Sequence, residues 1–365
     1  MLKKKIATMM IVTMLGMTVI SGCGDQDENN TAGGSQNAVS PSSVAVTEES
    51  GQAGQQNPGT EQTHGEETGG DDISATSGTT QQVVDIPEGD VPLANTTAKV
   101  LTPTADGKAT KVNAAATIDY SNAAQGYLMV RYTGKNKKIK VQIQKAGGTL
   151  YTYNLAANST YEVFPLTEGN GNYSVKVFEN ISGTKYSTAL AHTVAVKLAN
   201  QHLPFLYPNQ YVNFKAESQV VKTAAEVTKK QKEDIKKVEA VYDYTVSHLT
   251  YDKKKAETVK SDYLPDVDAV LKAKKGICFD YASVMAAMLR SQNIPCKLVV
   301  GYSGKAYHAW INVYTPQSGW VDGMIYFDGN KWQLMDPTLA SSGKKSKEIM
   351  KYIGDGKNYT AKYAY

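Results

Sequence analysis

Polar and apolar positions alternate through the middle of this chain and change period towards its end. Lys138–Gln144 (Lys-Ile-Lys-Val-Gln-Ile-Gln) and Tyr173–Glu179 (Tyr-Ser-Val-Lys-Val-Phe-Glu) switch sides at nearly every residue. That is the pattern of strands with one buried face. β-Branched or aromatic runs at 112–120, 126–132, 149–155, 160–166 and 186–196 extend the series, separated by Gly-Lys-Asn-Lys, Ala-Gly-Gly, Ala-Asn-Ser and Gly-Asn-Gly-Asn turns. About seven short strands in a hundred residues predict an immunoglobulin-like β-sandwich over 98–200. It holds no Cys, His cluster or acidic pair, so its expected role is that of a spacer or binding module.

Beyond residue 200 the pattern lengthens. Leu203-Pro-Phe-Leu-Tyr-Pro-Asn-Gln-Tyr211 lies in a connection (201–221) too apolar for a free linker, and it is expected to pack on the last domain. Residues 223–249 predict one helix, with a charged start at Lys229–Lys237 and core positions Val238, Val241, Tyr242, Tyr244 and Val246. Ala282, Met285, Ala286 and Leu289 follow i, i+3, i+4, i+7 spacing and predict a buried helix entered through Gly276 and ended at Ile294-Pro295. Strands follow at 297–302, 307–314 and 320–327. A tight Asp328-Gly-Asn turn then leads to a fourth strand from Trp332.

Residues 1–97 lack such periodicity. Lys3, Lys4 and Lys5 precede an apolar stretch, Ile6 to Ile20, and then Ile20-Ser21-Gly22-Cys23. So short a run with such flanks reads as a signal peptide, not a span. The Ile-Ser-Gly-Cys sequence resembles the lipobox of bacterial lipoproteins. That resemblance implies a signal peptide at 1–22, lipid on Cys23, and anchoring to the extracytoplasmic face of a cell membrane. Residues 23–97 are expected to be a disordered acidic linker. Between Gly24 and Ala98 there are thirteen acidic residues and no Lys or Arg, whereas Lys99–Tyr365 carries 36 basic against 22 acidic residues, a net +14. A basic body suits anionic cell-wall polymers or simply a solvated lysine-rich face. Nothing resembles nucleic-acid readout.

Three cysteines, Cys23, Cys278 and Cys296, are too few for a disulfide framework. Cys278 falls in the first turn of the predicted buried helix, where free N–H groups and the positive dipole end favour a thiolate. Such a thiol is a nucleophile near neutral pH. In an antiparallel meander, His308 and Asp336 would lie on neighbouring strands with the Cys278 helix across them, giving nucleophile, base and orienting acid. Cys296 is expected to pack in the core; a Cys278–Cys296 disulfide would silence the site. The Asp266-x-Asp268 pair is read as a solvated loop, and no metal or other cofactor is expected. Trp310 is expected to pack beside the site. His64, alone among polar residues, is expected to be merely solvated.

The order Gly-x-Cys-x-x-x-Ala with Met-Leu-Arg and Ile-Pro, then His-Ala-Trp, then Gly-Trp and Asp-Pro-Thr, resembles the transglutaminase-like domains of bacteria and archaea. The likeness runs from about Val238 to Ala340. It implies a papain-like α+β fold over 201–365, with a helix-borne Cys against an antiparallel sheet. It also implies a catalytic triad of Cys278, His308 and Asp336. Tyr251, in Leu-Thr-Tyr-Asp, matches a motif that precedes the Cys helix in that family and is a candidate oxyanion donor. The expected reaction is acyl transfer from a peptide or glutamine amide of a protein substrate through a thioester. Water is favoured over an amine as acceptor. The rival expectation is a non-catalytic adhesion or wall-binding lipoprotein.

Overall fold

The computed structural model describes residues 44–45, 97–316, 319–321, 325–327, 332–334 and 359–365. The signal peptide, Cys23, His64, nearly all of the acidic linker and Asp336 lie outside the described residues.

The alternating runs become eight antiparallel strands among the described residues: β2 (Thr110–Val112), β3 (Ala116–Asp119), β4 (Tyr127–Tyr132), β5 (Ile139–Lys145), β6 (Leu150–Leu155), β7 (Glu162–Pro165), β8 (Gly171–Ser182) and β9 (Lys185–Val196). A two-residue strand β1 (Val44–Ala45), from within the segment expected to be disordered linker, pairs with β9. They form two sheets, ordered β2-β3-β4-β7 and β1-β9-β8-β5-β6. Ile139, Val141 and Ile143 are buried in a row, and Val141 pairs with Tyr153 on one side and Val177 on the other. Residue alternation alone selects that inner face. The predicted strand at 112–120 is instead two strands. The Asn113 side chain accepts from Ala115 N and Ala116 N at 2.9 Å each, and this local turn ends β2 before β3 begins.

The connection that follows is bolted in place. Phe205, Leu206, Tyr211, Val212 and Phe214 are buried. The Tyr211 ring lies 6.0 Å from Tyr153 of the sandwich, 5.6 Å from Phe279 and 4.3 Å from Tyr365. Gln210 Nε2 donates to Asn154 O at 2.7 Å. One hydrophobic core therefore runs from the sandwich into the remainder of the chain.

The predicted helix at 223–249 is divided into α1 (Gln219–Thr228) and α2 (Asp234–His248). The break lets both pack on the central helix α5 (Cys278–Ser291). Thr228 marks it, its hydroxyl lying 2.8 Å from Ala224 O and 3.0 Å from the Gln292 side-chain amide. Between them come β10 (Thr250–Tyr251), α3 (Lys253–Thr258), α4 (Val267–Ala273) and β11 (Lys275–Gly276). Every residue of α5 is buried. It meets α1, α2 and α4, and it also packs on β12 (Cys296–Ser303) and β13 (Ala306–Thr315).

The expected four-strand meander is not what forms. The sheet is ordered β14-β13-β12-β17, where β14 is Gly319–Val321 and β17 is Tyr359–Ala364. The run 320–327 is split. Its second half, β15 (Ile325–Phe327), pairs with β16 (Trp332–Leu334) in a separate two-stranded sheet, the predicted hairpin. The edge beside β12 is filled by β17, which arrives from far along the chain, a pairing that local pattern cannot specify. Among the described residues no helix is long and apolar enough to cross a membrane.

Candidate active site

Cys278 is the first residue of α5, a free thiol, 6% exposed. The N–H groups of a first helical turn have no helical acceptor, so the thiol stands at a ring of donors. Two short strands bring the chain to this point. β10 and β11 pair in parallel, Tyr251 opposite Gly276, and Asp252 N donates to Gly276 O at 2.8 Å. The candidate oxyanion donor Tyr251 is thus fastened to the segment that enters the Cys278 turn. Asp252 caps α3 by accepting from Lys255 N at 3.0 Å and pairs with Lys275 Nζ at 3.2 Å. The backbone hydrogen bond, then Lys275, holds its carboxyl below the usual range.

Beneath Cys278 lies a cluster that local sequence reading does not single out. Asp280 is completely buried. Its Oδ2 accepts from Ile277 N at 2.8 Å and from Lys255 Nζ at 2.6 Å, and its Oδ1 accepts from the Tyr263 hydroxyl at 2.5 Å. Lys255 Nζ also donates to the Tyr263 oxygen at 2.6 Å. Burial, followed by the Asp280 charge, pushes the Tyr263 phenol well above its ordinary value, so it remains a donor. A Cβ on Gly276 would stand 2.6 Å from Asp280 Cβ. Glycine is required there because the carboxylate folds back over it.

His308 is buried in β13, opposite Gly301 of β12. Only Gln292–Pro295 separate α5 from β12, so the helix doubles back along the sheet it packs on. Cys278 lies about 20 Å up the helix from Ser291, and Gly301 lies about 17 Å along β12 from Cys296. Cys278 and His308 therefore fall at the same end of the helix–sheet layer. Ala309, Ile311 and Val313 share the core with α5, while His308 and Trp310 form the alternate set. The Trp310 ring packs 5.2 Å from that of Tyr359 on β17. Gly301 leaves room for this strand, since a Cβ there would meet Thr360 O at 2.0 Å. The third predicted member, Asp336, lies outside the described residues. Its expected neighbour relation to β13 is not formed by the strand just before it, because β16 pairs with β15.

The Asp266-x-Asp268 pair is not the solvated loop expected. Asp266 accepts from Ala269 N at 3.0 Å and caps α4, while Asp268 accepts from Gln219 N and Val220 N at 2.9 and 2.8 Å and caps α1. Cys296, at the start of β12, is a free buried thiol whose pKa is pushed to about 12 by burial, only partly opposed by Arg290.

Residues 221–337 match the family model described as the transglutaminase-like superfamily. They form a transglutaminase-like domain. Among curated proteins, the chain is 32% identical over 104 residues to the uncharacterised protein YebA of Bacillus subtilis (strain 168), covering 23% of this chain and 14% of that one. It is 31% identical over 68 residues to the protein-glutamine gamma-glutamyltransferase of Pseudomonas aeruginosa, covering 15% of this chain and 10% of that protein. The chain thus spans a small part of the length of either relative. Among solved structures, the periplasmic domain of TgpA from Pseudomonas aeruginosa is 14% identical, with a TM-score of 0.30, covering 69% of this chain and 81% of that one. The transglutaminase-like domain holds both Cys278 and His308, and β17 adds a strand to its sheet from beyond the matched residues.

Proposed function

We propose that this protein is a cysteine enzyme of acyl transfer, held to the outer face of a membrane by lipid on Cys23. The observation that carries the reading is Cys278 at the N-terminus of a wholly buried helix inside the transglutaminase-like domain, with His308 at the same end of the layer. In the proposed reaction the Cys278 thiolate attacks the carbonyl of a peptide or glutamine amide. Tyr251 and the Cys278 N–H receive the developing oxyanion. His308, oriented by Asp336, gives its proton to the departing amine, leaving a thioester. The acceptor then takes the acyl group, and Cys278 is released.

Water is the acceptor we favour, which makes the protein a protease or amidase. The glutamyltransferase relative supports the amine branch, in which the protein would cross-link. The β-sandwich, immunoglobulin-like in this reading, presents the domain or a bound partner at the surface. Its continuous core with the transglutaminase-like domain supports one body in place of two tethered ones.

The test incubates the full chain with a protein substrate and a dye-tagged primary amine. Cys278-dependent dye incorporation identifies transfer. Cys278-dependent fragments or ammonia release without dye identifies hydrolysis. Neither product would overturn the enzyme reading in favour of a surface adhesion lipoprotein. Mass spectrometry of the mature N-terminus tests the anchor, and an unmodified Cys23 would remove it.

A further inference from the structure

Asp280, Lys255 and Tyr263 have no part in the reaction above, yet they form a polar cluster around a fully buried carboxylate two residues from the nucleophile. A fully buried carboxylate needs donors for its oxygens, and losing them leaves an uncompensated charge. Here the donors come from three places in the chain: Ile277 N immediately before Cys278, Lys255 from α3 and the Tyr263 hydroxyl from the loop before α4. If the carboxylate were only a helix cap, the Ile277 contact would suffice. Two further donors, one of them cationic, hold it against both lateral swing and net charge.

That second point has a chemical consequence. A lone carboxylate two residues from a thiolate opposes its formation, because like charges in a poorly solvated site disfavour each other. The ammonium of Lys255, 2.6 Å from the carboxylate, cancels that field. Other titratable groups near the start of α5, among the described residues, include Asp252 and Lys275, which pair with each other, Tyr251 on β10, Tyr281 on α5 itself, His308 on β13, and Asp266, whose charge acts on Tyr263.

We propose that Asp280 is a positioning residue for Cys278, part of a charge-balanced clamp with Lys255 and Tyr263. It fixes the Ile277–Phe279 turn and the aim of its free N–H groups, and Lys255 prevents its charge from suppressing the thiolate. The inference rests on the reading of Cys278 as the nucleophile. It reaches beyond that reading by assigning the residues that set the geometry and charge of the nucleophile's turn.

The experiment follows alkylation of Cys278 by iodoacetamide against pH in the full chain, read on the Cys278 peptide by mass spectrometry, with circular dichroism to verify folding. Lys255→Met exposes Cys278 to an unbalanced carboxylate and is expected to raise the midpoint by about half to one pH unit. Lys255→Arg is expected to restore it. Asp280→Asn removes the anion and lowers the midpoint by a similar amount. The same variant loosens the turn and slows Cys278-dependent turnover about tenfold or more. Should Asp280→Asn fail to fold, the Lys255→Met and Lys255→Arg pair carries the test alone. Opposite shifts in Lys255→Met and Asp280→Asn would not arise from a purely structural role. Folded variants with unmoved midpoints, or midpoints moved in the same direction, overturn the clamp while leaving the nucleophile in place. A Cys278 that is inert in the unaltered protein overturns both.

Discussion

Cys278 opens α5 and Cys296 opens β12, the strand that follows it, and the two thiols stand in opposite chemical settings. Cys278 stands at the N-terminus of α5, where first-turn N–H groups have no helical acceptor, two residues from a carboxylate paired with Lys255. Beyond the helix, Cys296 lies with its Sγ 3.8 Å from Lys297 O, and burial drives its pKa to about 12. Arg290 is nearby, but its guanidinium is spent on carbonyls. It donates to Cys296 O at 2.8 and 3.0 Å, Tyr207 O at 2.7 Å and Tyr365 O at 2.7 Å. Burial lowers its pKa to about 10. Both thiols are nearly inaccessible, so low exposure alone does not decide which one reacts. The direction of the helix and the partners around the sulfur do.

The sharpest way to break this contrast is substitution of each thiol. Cys278→Ala is expected to remove turnover by about a thousandfold or more, whereas Cys296→Ala should retain it within a fewfold. Product formation with the dye-tagged amine, or fragment release, measures both. Equal losses would mean that the two thiols do not differ in function.

Alkylation rates sharpen the same point. With a pKa of about 12, Cys296 is a thiolate in about one molecule in ten thousand at pH 8. The Cys278 peptide should therefore be modified at least a hundredfold faster under native conditions. Comparable rates would place Cys296 in an environment unlike the one described.

Arg290→Met tests the surroundings of Cys296. It removes the shared donor from two buried carbonyls and one part-buried one, and a loss of about 3–5 kcal/mol is expected in urea unfolding. A change below about 1 kcal/mol would show that the carbonyls find other partners. Gly301→Ala, beside His308, forces a Cβ against Thr360 O and should cost about 1–3 kcal/mol by displacing β17.

The smallest effect is in the pH dependence. The folded state holds the Cys296 proton more tightly than the unfolded chain does, so its contribution is complete below about pH 8.5 and declines as pH rises towards about 12. The phenols of buried Tyr173 and Tyr211 and of half-buried Tyr263 are also raised and add to the decline at higher pH. Between about pH 8.5 and 10 the slope should be shallower in Cys296→Ala than in the parent, by up to about 1.4 kcal/mol per pH unit. Identical slopes would contradict a buried, protonated Cys296.

Much of this was written in local pattern. Six of the seven expected strands of the sandwich appear within a few residues of their predicted limits, because a two-residue period with interspersed turn residues specifies both strand and face, while the run at 112–120 divides at the Asn113 turn. The buried helix after Gly276 and the position of Cys278 in its first turn were legible for the same reason. Where the reading failed, the cause lies in partners distant in sequence. Helix 223–249 divides because α1 and α2 must both reach α5. Asp268 caps a helix that begins at Gln219. Asp280 carried one local signal, an acid at the third position of a helix, but nothing nearby announces Lys255 or Tyr263 as its partners.

The sequence by itself determined the strand periodicity, the nucleophile's place at a helix start, and the order of the Cys, His and Asp blocks, since each depends on neighbours within a few residues. Only the tertiary structure decided which strands border β13, which thiol is held protonated beside a carbonyl, and which cation balances the carboxylate under Cys278. Those outcomes depend on groups brought together by packing across long stretches of chain, and no local period encodes them.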